Sequence, residues 1–497
     1  MNRPVRWYDY ITVNIYFLGL STLSQTNNLV FPLLIQLFVG DAVKGAYLGS
    51  LRLWTLMVAL LMQAVMGMLS DRSTLRWGRR RPFIFTGTVL DLVFITAIGF
   101  SAGMSGTVGY AFLFVMAILL QISSNTAQGP QQALIPDVVP DRQRGRFSGI
   151  KAVMDVPLPL ILVSFTVARL ISAGHMWTGL LLAMGILTVS MLLTMLVPEK
   201  RPTGAAMPFD WAPILRLALM TALFAIIILG AGQGVQLLGR AIAGIDSPVV
   251  LLLIMGTAGL AAMGIAVGLG VWASVRVSLG NQAVRRNPSF TWWVVNRLAF
   301  LVGATNLSTF AVYFIQGRLG YVREKAAGPA AYLMLVVGVF VLLSALGSGW
   351  LADRFGRKSL VAVSGFVAAL GTLVALSLPN MSVIYVGGCL IGLATGLFYA
   401  ANWALGTEIV PKEEAGRYLG ISNLAGAGAG AVGAYIGGPI ADYFTTRLPQ
   451  VPGLGYVLIF VIYGILFLLS VVALRGVHEP ARQPAGAGSG LAASPAK

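Results

Sequence analysis

Polar side chains recur on one face of four strongly apolar stretches of the sequence, and such faces could bind a solute. The members of each set follow helical spacing, with separations of three, four and seven residues, so each set occupies one side of a helix. The sets are Ser21, Ser24, Gln25 and Asn28; Gln121, Ser124, Asn125 and Gln128; Asn306, Thr309, Tyr313 and Gln316; and Thr395, Tyr399, Asn402 and Trp403. Amides and hydroxyls donate and accept hydrogen bonds, and an aromatic ring can cover the apolar face of a sugar.

These faces predict a site for a small, neutral, hydroxylated solute. The expected substrate-binding residues are Gln25, Asn28, Gln121, Asn125, Gln128, Asn306, Tyr313, Tyr399, Asn402 and Trp403. The alternative is hydrogen bonding between helices without any ligand.

Acidic side chains inside apolar stretches could carry a proton. Asp91 has no basic residue within one helical turn. A charge near the bilayer centre costs about 2.5–3.5 kcal/mol, and burial without a cation favours the protonated carboxyl. Asp91 is therefore the proton-coupling candidate, with a hydrogen-bonded structural acid as the alternative. Asp155 is the next candidate, although Lys151 one turn earlier favours a salt bridge near the cytoplasmic gate. Arg52 is expected to snorkel or to pair across the outer gate.

The composition excludes a soluble protein. Of the 497 residues, 57% are hydrophobic and only 10% are charged, whereas soluble domains carry about 25% charged residues. Lipid must cover much of the surface. The net charge of +17 does not indicate nucleic-acid binding, because Arg and Lys stand in short blocks between apolar runs, as they do in cytoplasmic loops.

The sequence carries no enzymatic constellation. Its single cysteine, Cys389, excludes an internal disulfide and a cysteine metal cluster, and His175 and His478 stand apart at the edges of apolar runs. No nucleophile–base pair, metal-ligand set or phosphate-binding loop is evident. We expect no enzymatic activity, cofactor, metal or nucleic-acid partner. The expected partners are a small-molecule solute, membrane lipid and, through the acids above, a proton.

Membrane-spanning helices must position these side chains. Crossing the hydrocarbon core takes about 20 residues, and fourteen stretches qualify, which predicts an all-α polytopic membrane protein. Their approximate bounds are 11–39, 46–69, 82–103, 108–131, 148–172, 177–197, 214–239, 248–275, 289–316, 330–352, 359–378, 382–407, 418–443 and 454–475.

The order of these stretches predicts three parts and a tail. Residues 1–200 form an N-terminal six-helix bundle, 201–288 a cytoplasmic linker with two inserted helices, and 289–479 a C-terminal six-helix bundle. The Pro/Gly/Ala/Ser-rich tail 480–497 is expected to be disordered. Most Lys and Arg become cytoplasmic if both termini are cytoplasmic, so the positive-inside rule predicts that orientation, in the inner (cytoplasmic) cell membrane.

A charged block repeats between the second and third helices of each half. The first copy is Gly67-x-x-x-Asp71-Arg72 followed by Gly78-Arg79-Arg80, and the second is Gly349-x-x-x-Asp353-Arg354-x-Gly356-Arg357-Lys358. Glycine permits close helix approach, and arginine offers planar donors to a carboxylate or to lipid phosphates. We interpret the block as a cytoplasmic gate latch; the alternative is charge that only sets topology.

The repeated block resembles the cytoplasmic signature of the major facilitator superfamily. The first copy, within residues 63–84 (QAVMGMLSDRSTLRWGRRRPFI), is similar to the sucrose/proton symporter branch, within or near the glycoside–pentoside–hexuronide cation symporters. NTAQGP at 125–130 resembles that branch's fourth helix, and WAL at 403–405 with GRY at 416–418 resembles its bacterial relatives. The resemblance implies two six-helix bundles and a central cavity lined by the first helix of each three-helix unit. The four polar faces lie on those helices.

Two departures from that branch concern proton coupling. Similar symporters usually carry an acid where this chain has Gln121, and related bacterial proteins often carry one where it has Asn402. An amide cannot take up and release a proton.

The predicted function is a secondary transporter of a sugar or glycoside by alternating access, with proton coupling as a candidate. The alternatives are a drug or amphipathic-compound exporter of fourteen spans, or an uncoupled uniporter. Such exporters share a Gly-rich stretch with Gly-Pro in helix five. This chain has DVPLP at 155–159 there and carries a partly similar Gly433-x-x-x-Gly437-Gly438-Pro439 in core helix eleven instead.

Overall fold

The computed structural model describes residues 5–199, 211–410 and 415–478. The predicted tail at 480–497 lies outside these residues. So does the stretch 201–210, which is most of the linker predicted before the first inserted helix. The described part of the chain is helical, as expected, and contains no strand.

The long helices follow the predicted apolar stretches; some extend further, such as the fourth (Gly106–Val138), and some are shorter, such as the first (Ile15–Val39). They are α1 (Ile15–Val39), α2 (Lys44–Asp71), α3 (Arg81–Ser101), α4 (Gly106–Val138), α5 (Arg144–Ser172), α6 (Met176–Thr194), α7 (Ala212–Ala241), α8 (Pro248–Leu279), α9 (Pro288–Thr309), α10 (Ala311–Leu319), α11 (Ala327–Phe355), α12 (Arg357–Ser377), α13 (Met381–Ile409), α14 (Ala415–Arg447) and α15 (Leu454–Ala473). Short helices at Trp7–Thr12 and Asn281–Arg286 precede α1 and α9.

The count of fourteen spans is not confirmed. Among the described residues, twelve helices are long and apolar enough to cross a membrane, or up to thirteen if the bent pair α9 and α10 counts as one span. The first predicted span, α1, is not among them, although its 25 residues reach about 38 Å. Its polar face, which includes Gln25, Asn27 and Asn28, lowers its hydropathy.

Two helices are interrupted inside the bilayer region. In α5 the first segment ends at Asp155, Val156 leaves helical geometry, and Pro157 begins the next segment. Proline lacks an N–H and clashes with the preceding turn, so the break falls beside it. At Phe310 the chain bends by 59° between α9 and α10. The Thr309 hydroxyl donates to a carbonyl one turn back, a contact that bends helices.

The two inserted helices form a hairpin that packs on α14, and also touches α2, α9 and α15. Phe224 of α7 fills the space beside Gly270 of α8 and Gly428 of α14, where a Cβ on either glycine would meet the ring. Gln233 donates to the hydroxyl of Tyr435 at 3.3 Å. The division of the chain into two six-helix bundles with this pair as an insertion stays a prediction.

Candidate functional site

One end of the molecule carries the loops 40–43, 173–175, 320–323 and 448–453; we call it the predicted outer end. The opposite end, with the loops 72–80 and 195–199, is the predicted cytoplasmic end. The two names follow the predicted orientation of the chain.

Polar contacts join the two halves at the predicted outer end. Tyr313 donates to the carbonyl of Pro32 at 2.7 Å. Gln316 donates to Gln36 at 3.0 Å and accepts from the Lys44 ammonium at 3.0 Å. The same ammonium lies 4.6 Å from the centre of the Tyr313 ring. We call these five residues the outer seal, because they tie α1 and α2 to α10.

A buried carboxylate completes this closure. Asp442 of α14 is 5% exposed and accepts hydrogen bonds from the backbone N–H groups of Gly45 and Ala46 at 2.9 and 2.7 Å. These donors lie in the first turn of α2, where a helix has unpaired N–H groups and a positive dipole end. The contact needs glycine, because a Cβ on Gly45 would lie 2.7 Å from the carbonyl of Gly438.

A pocket of about 650 Å³ lies outside the seal. Asp41 and Lys44 line one side of it, and Arg323 and Glu324 line the other. Burial raises the pKa of Asp41, but the hydrogen bond and charge of Lys44 at 2.7 Å outweigh burial, and the net pKa is lowered.

The helices that meet at the outer end diverge toward the predicted cytoplasmic end. Along α14, a Cβ at Gly438 or at Gly430 would touch α2. A Cβ at Gly426, further along toward the predicted cytoplasmic end, would meet nothing within 4 Å. On the other seam, Ser164 of α5 donates to the carbonyl of Ala331 at 2.8 Å. Further down α11, Gly347 again has open space around it. The contacts described here between the halves thus lie toward the outer end, and the helix faces at Gly426 and Gly347 below them have no neighbour within 4 Å of a Cβ.

Predicted binding residues of the N-terminal half lie beside this separation. Asn28 donates to Gln25 at 3.2 Å and accepts from Arg52 at 2.6 Å. In α4, the Asn125 amide donates to Gln121, and Asn125 is buried whereas Gln121 and Gln128 are half-buried. A half-buried polar face in the middle of a span faces protein or water, since lipid would penalise it.

In the C-terminal half, Arg297 lies among predicted binding residues. It is 8% exposed and donates to the side-chain oxygen of Asn402 at 3.0 Å. Its guanidinium lies 5.5 Å from the Trp403 ring centre. Trp403 and Tyr399 are each 41% exposed, so part of each side chain is accessible.

Three predicted binding residues serve other contacts. Tyr313 belongs to the outer seal. Asn306 is fully buried and donates to the carbonyl of Ala429 at 3.0 Å, which ties α9 to α14. Asn402 is also fully buried, and its side-chain oxygen accepts a hydrogen bond from Arg297. In the structure these amides and this hydroxyl make contacts between helices.

The two candidate acids have different surroundings. Asp91 is fully buried between α3 and α4, where Ser123 and Ser124 donate to it, the second at 2.8 Å. Asp155 is half-buried at the break in α5 and accepts from Ser21 at 2.6 Å. The expected salt bridge between Asp155 and Lys151 is not formed, because each side chain has another partner: Lys151 lies 4.5 Å from the Phe17 ring centre, and Asp155 accepts from Ser21.

The first copy of the repeated block forms an ion cluster within the N-terminal half. Arg80 is 3% exposed and contacts Asp71 at 2.5 Å and Asp137 at 2.8 Å. Glu199 accepts from the backbone N–H of Arg80 at 2.7 Å, at the start of α3. Gly78 has a φ of +121°, which favours glycine. Arg72 and Arg79 are half-buried in the same loop.

The second copy forms a related contact. Arg357 binds Glu408 at 2.5 Å and the carbonyl of Ala404 at 3.2 Å, so in both halves an arginine at the start of the third helix binds an acid at the end of the fourth. Lys358 donates to the carbonyl of Val477 at 2.6 Å. Gly356 has a φ of +87°.

Other parts of the repeat differ from the expectation. A Cβ at Gly67 or Gly349 would meet nothing within 4 Å, so neither glycine's own Cβ position touches a neighbouring helix. The tight position is Gly129 of α4, whose Cβ would lie 3.0 Å from the carbonyl of Gln63. Arg354 lies over the Trp350 ring at 5.4 Å, and the side chain of Asp353 lies outside the described residues.

Sequence reasoning missed the contacts of Asp442, Glu199 and Arg297. Arg52, expected to snorkel or to pair across the outer gate, donates to Asn28 of its own half. Asp442 stands near the end of a span, where an acid is unremarkable in a sequence. Arg297 offered a usable signal, because an arginine inside an apolar stretch requires a partner or a function.

Comparison with known proteins agrees with this architecture. Residues 22–217 match the family profile described as MFS/sugar transport protein, and residues 300–496 match the Major Facilitator Superfamily profile. The chain belongs to the major facilitator superfamily.

Individual relatives match over short segments. The chain is 38% identical over 95 residues to sucrose transport protein SUT1 of Oryza sativa subsp. japonica, which covers 16% of this chain and 18% of that protein. It is 38% identical over 90 residues to the minor myo-inositol transporter IolF of Bacillus subtilis, covering 18% and 20%. The matched segments thus span about a fifth of these relatives.

A structural match covers most of the chain. A crystal structure of a D-xylose-proton symporter superposes with a TM-score of 0.62 at 16% identity, covering 95% of this chain and 98% of that one. At this identity the likeness shows the fold alone. The chain is an integral membrane protein, and the three proteins named here are transporters rather than enzymes.

Proposed function

We propose that the protein is a secondary transporter that moves a small hydroxylated solute of the sugar class by alternating access. The observation that carries the proposal is the pairing of a closed outer end with halves that separate below it, leaving polar side chains on both walls. Such an arrangement is one of the two states that a rocking carrier visits.

The sugar class is supported by the chemistry of the walls and by the relatives. Gln25 and Gln121 offer amides on one wall, while Tyr399 and Trp403 offer partly exposed rings on the other. Amides pair with hydroxyls, and rings cover the apolar face of a sugar. The profile described as MFS/sugar transport protein and the sucrose and myo-inositol transporters point to the same class.

Orientation and coupling are part of the same proposal. We place both termini on the cytoplasmic side of the cell membrane, following the positive-inside rule. We assign proton coupling to Asp155 in preference to Asp91, because a coupling acid must reach water on each side in turn. Asp155 is half-buried at the wall beside Ser21, whereas Asp91 is fully buried behind α4.

Transport by purified protein in proteoliposomes tests the proposal. The solutes are sucrose, myo-inositol, xylose and glucose, each measured as counterflow and as net uptake with and without an inside-alkaline pH gradient. We expect counterflow of at least one solute and a stimulation of its uptake by the gradient. Counterflow without stimulation would identify an uncoupled uniporter, and counterflow of none of the four would refute the sugar class.

A further inference from the structure

The pocket outside the outer seal is lined by both halves of the molecule. Gln36 and Asp41 belong to the N-terminal half, whereas Tyr321, Arg323 and Glu324 belong to the C-terminal half. The volume of about 650 Å³ lies within the range of small-molecule sites, ~300–1,000 Å³. The pocket is therefore large enough for a ligand that contacts both halves at once.

Accessible groups on both walls of this pocket can bind a hydroxyl group. The Asp41 side chain is 69% exposed, and its Oδ1 accepts from both Gln36 and Lys44, at 2.8 and 2.7 Å. Its Oδ2 makes no hydrogen bond within the described part of the chain, so it can accept one from a ligand. On the other wall, the side chains of Arg323 and Glu324 pair at 2.8 Å and are 35% and 42% exposed. A hydroxyl suits both walls, because it donates to a carboxylate and accepts from a guanidinium.

The charges that line the pocket cancel in pairs. Lys44 lies against Asp41, and Arg323 lies against Glu324. A net charge of zero gives the pocket no preference for an anion or a cation, whereas a polyhydroxy compound can add hydrogen bonds and leave both pairs intact. Tyr321 is 37% exposed, and a tyrosine ring can cover the apolar face of a sugar. This chemistry favours a neutral sugar or polyol.

We propose that this pocket is a second binding site, which a neutral sugar or polyol enters from the outer side and whose occupation holds the outer end closed. The ligand class rests on the proposed transport function. The site itself is separate from the proposed transport site, because Gln25, Gln121 and Trp403 do not line the pocket.

The closing effect follows from the two walls. Asp41 and Arg323 belong to different halves, so they move apart when the outer end opens. A ligand that bonds to both walls therefore binds the closed state better than the open one. A ligand with such a difference in affinity shifts the equilibrium toward the state that it prefers.

Protection of a thiol in the pocket tests the second site. In a Cys389→Ser background, Val322→Cys replaces a lining valine that is 64% exposed. The control Leu378→Cys replaces a residue that is 56% exposed and does not line the pocket. Leu378 also lies at the outer end, because Arg318 donates to the carbonyl of Leu376 at 3.5 Å.

The probes are sucrose, myo-inositol, D-xylose and D-glucose, each added to the detergent-purified full chain before a maleimide reagent. At least one probe should slow the labelling of Val322→Cys about threefold at a concentration of about twice its Kd. The same probe should leave the labelling of Leu378→Cys unchanged, which excludes an effect of viscosity.

Two substitutions in the walls locate the bound probe. Asp41→Ala removes the free carboxylate oxygen and Tyr321→Ala removes the ring, and each should weaken the protection of Val322→Cys about threefold or more. The matched controls are Asp246→Ala and Tyr332→Ala. They remove an exposed acid and a 43% exposed tyrosine that do not line the pocket, and both should keep the protection.

Two further comparisons exclude indirect protection. Tyr321→Ala leaves Lys44 and the rest of the outer seal in place, so its effect does not arise from opening of the seal. Gln121→Ala alters the proposed transport site and should keep the protection of Val322→Cys. Loss of protection in Gln121→Ala would mean that the probe acts from the transport site, and it would overturn the second site.

The outcomes separate the second site from the proposed function. Protection that Asp41→Ala and Tyr321→Ala weaken and Gln121→Ala keeps supports the second site, whether or not the probe is transported. Absence of protection by all four probes, or protection that neither wall variant weakens, overturns it and leaves the transport function standing.

Uptake into proteoliposomes measures the closing effect. With a probe that is both transported and protective, initial uptake should pass through a maximum and then decline as its external concentration rises. The decline should be absent in Tyr321→Ala and present in Tyr332→Ala. Uptake that saturates without a decline in the parent, or a decline that persists in Tyr321→Ala, would overturn the closing effect.

Discussion

Asp442 offers the sharpest test of the closed outer end. Its carboxylate accepts two backbone N–H groups from the start of α2 and is 5% exposed. In Asp442→Asn, one acceptor becomes an NH₂ group facing an N–H donor, and the negative charge at the helix end is lost. A hydrogen bond to a charged group contributes about 1.5–3 kcal/mol, and charge at a partly buried helix terminus up to ~2 kcal/mol.

The closed state of the outer end should therefore lose about 2–4 kcal/mol of stabilising free energy, because the two contributions overlap in part. Because each 1.4 kcal/mol corresponds to a factor of ten, the open-to-closed ratio at the outer end should rise roughly 30-fold to 700-fold. The structure has the outer end closed, so the substitution should favour the opposite state.

Thiol accessibility measures this shift. In a Cys389→Ser background, a cysteine replaces Ser24, which is exposed on the polar face of α1. A membrane-impermeant thiol reagent is applied from the predicted outer side. Labelling should accelerate at least tenfold in Asp442→Asn. The matched control is Asp246→Asn, because Asp246 is also an outer-end acid but is fully exposed and 3.6 Å from Arg447. Equal labelling rates in the parent, Asp442→Asn and the control would refute the reasoning.

Three further predictions concern charged groups elsewhere. Asp155→Asn should abolish accumulation driven by a pH gradient but spare counterflow in proteoliposomes. Asp91→Asn should keep accumulation driven by the gradient. The reverse result would assign proton coupling to Asp91. Arg80→Gln removes the charged partner of two partly exposed acids, Asp71 and Asp137. It should destabilise the protein by about 1–3 kcal/mol through the lost charge-assisted hydrogen bonds, seen as a lower thermal midpoint; an unchanged midpoint contradicts this. The lowered pKa of Asp41 beside Lys44 means that its stabilising contribution is present above its ordinary pKa and is lost as pH falls through the lowered value. Asp41→Asn should therefore reduce the dependence of the thermal midpoint on pH below about pH 4. An unaltered dependence on pH would contradict the assignment.

The helices and the charged cluster could be predicted because their signals are local. Long apolar runs specify α1 to α8 and α11 to α15 one by one, whereas α9 and α10 correspond to one predicted run whose bend the sequence did not show. Pro157 marks the break in α5. The contact of Asp71 with Arg80 joins residues of one repeated block, so the sequence proposes the pairing directly. Gly78 and Gly356 likewise stand where the repeated loop needs a positive φ.

The cavity contacts could not be predicted in the same way. Arg297 and Asn402 are separated by 105 residues, and Asp442 and Gly45 by 397, and helical periodicity carries no information about such partners. A polar face has the same spacing whether it meets a solute or another helix. Asn306 and Asn402 therefore looked like ligand-binding amides, although tertiary packing uses both between helices.

The hairpin of α7 and α8 has a consequence for the route of the solute. It lies against both α14 and α2, the two helices that form one seam between the halves. Phe224 packs into that side of α14, and Arg447 donates to the carbonyl of Ala243 in the loop after α7 at 2.5 Å. Lipid tails on this flank meet the hairpin in place of the seam itself. We expect that a solute cannot slip sideways into the bilayer there while the halves rock, and that hydrophobic compounds have no lateral doorway on this side of the carrier.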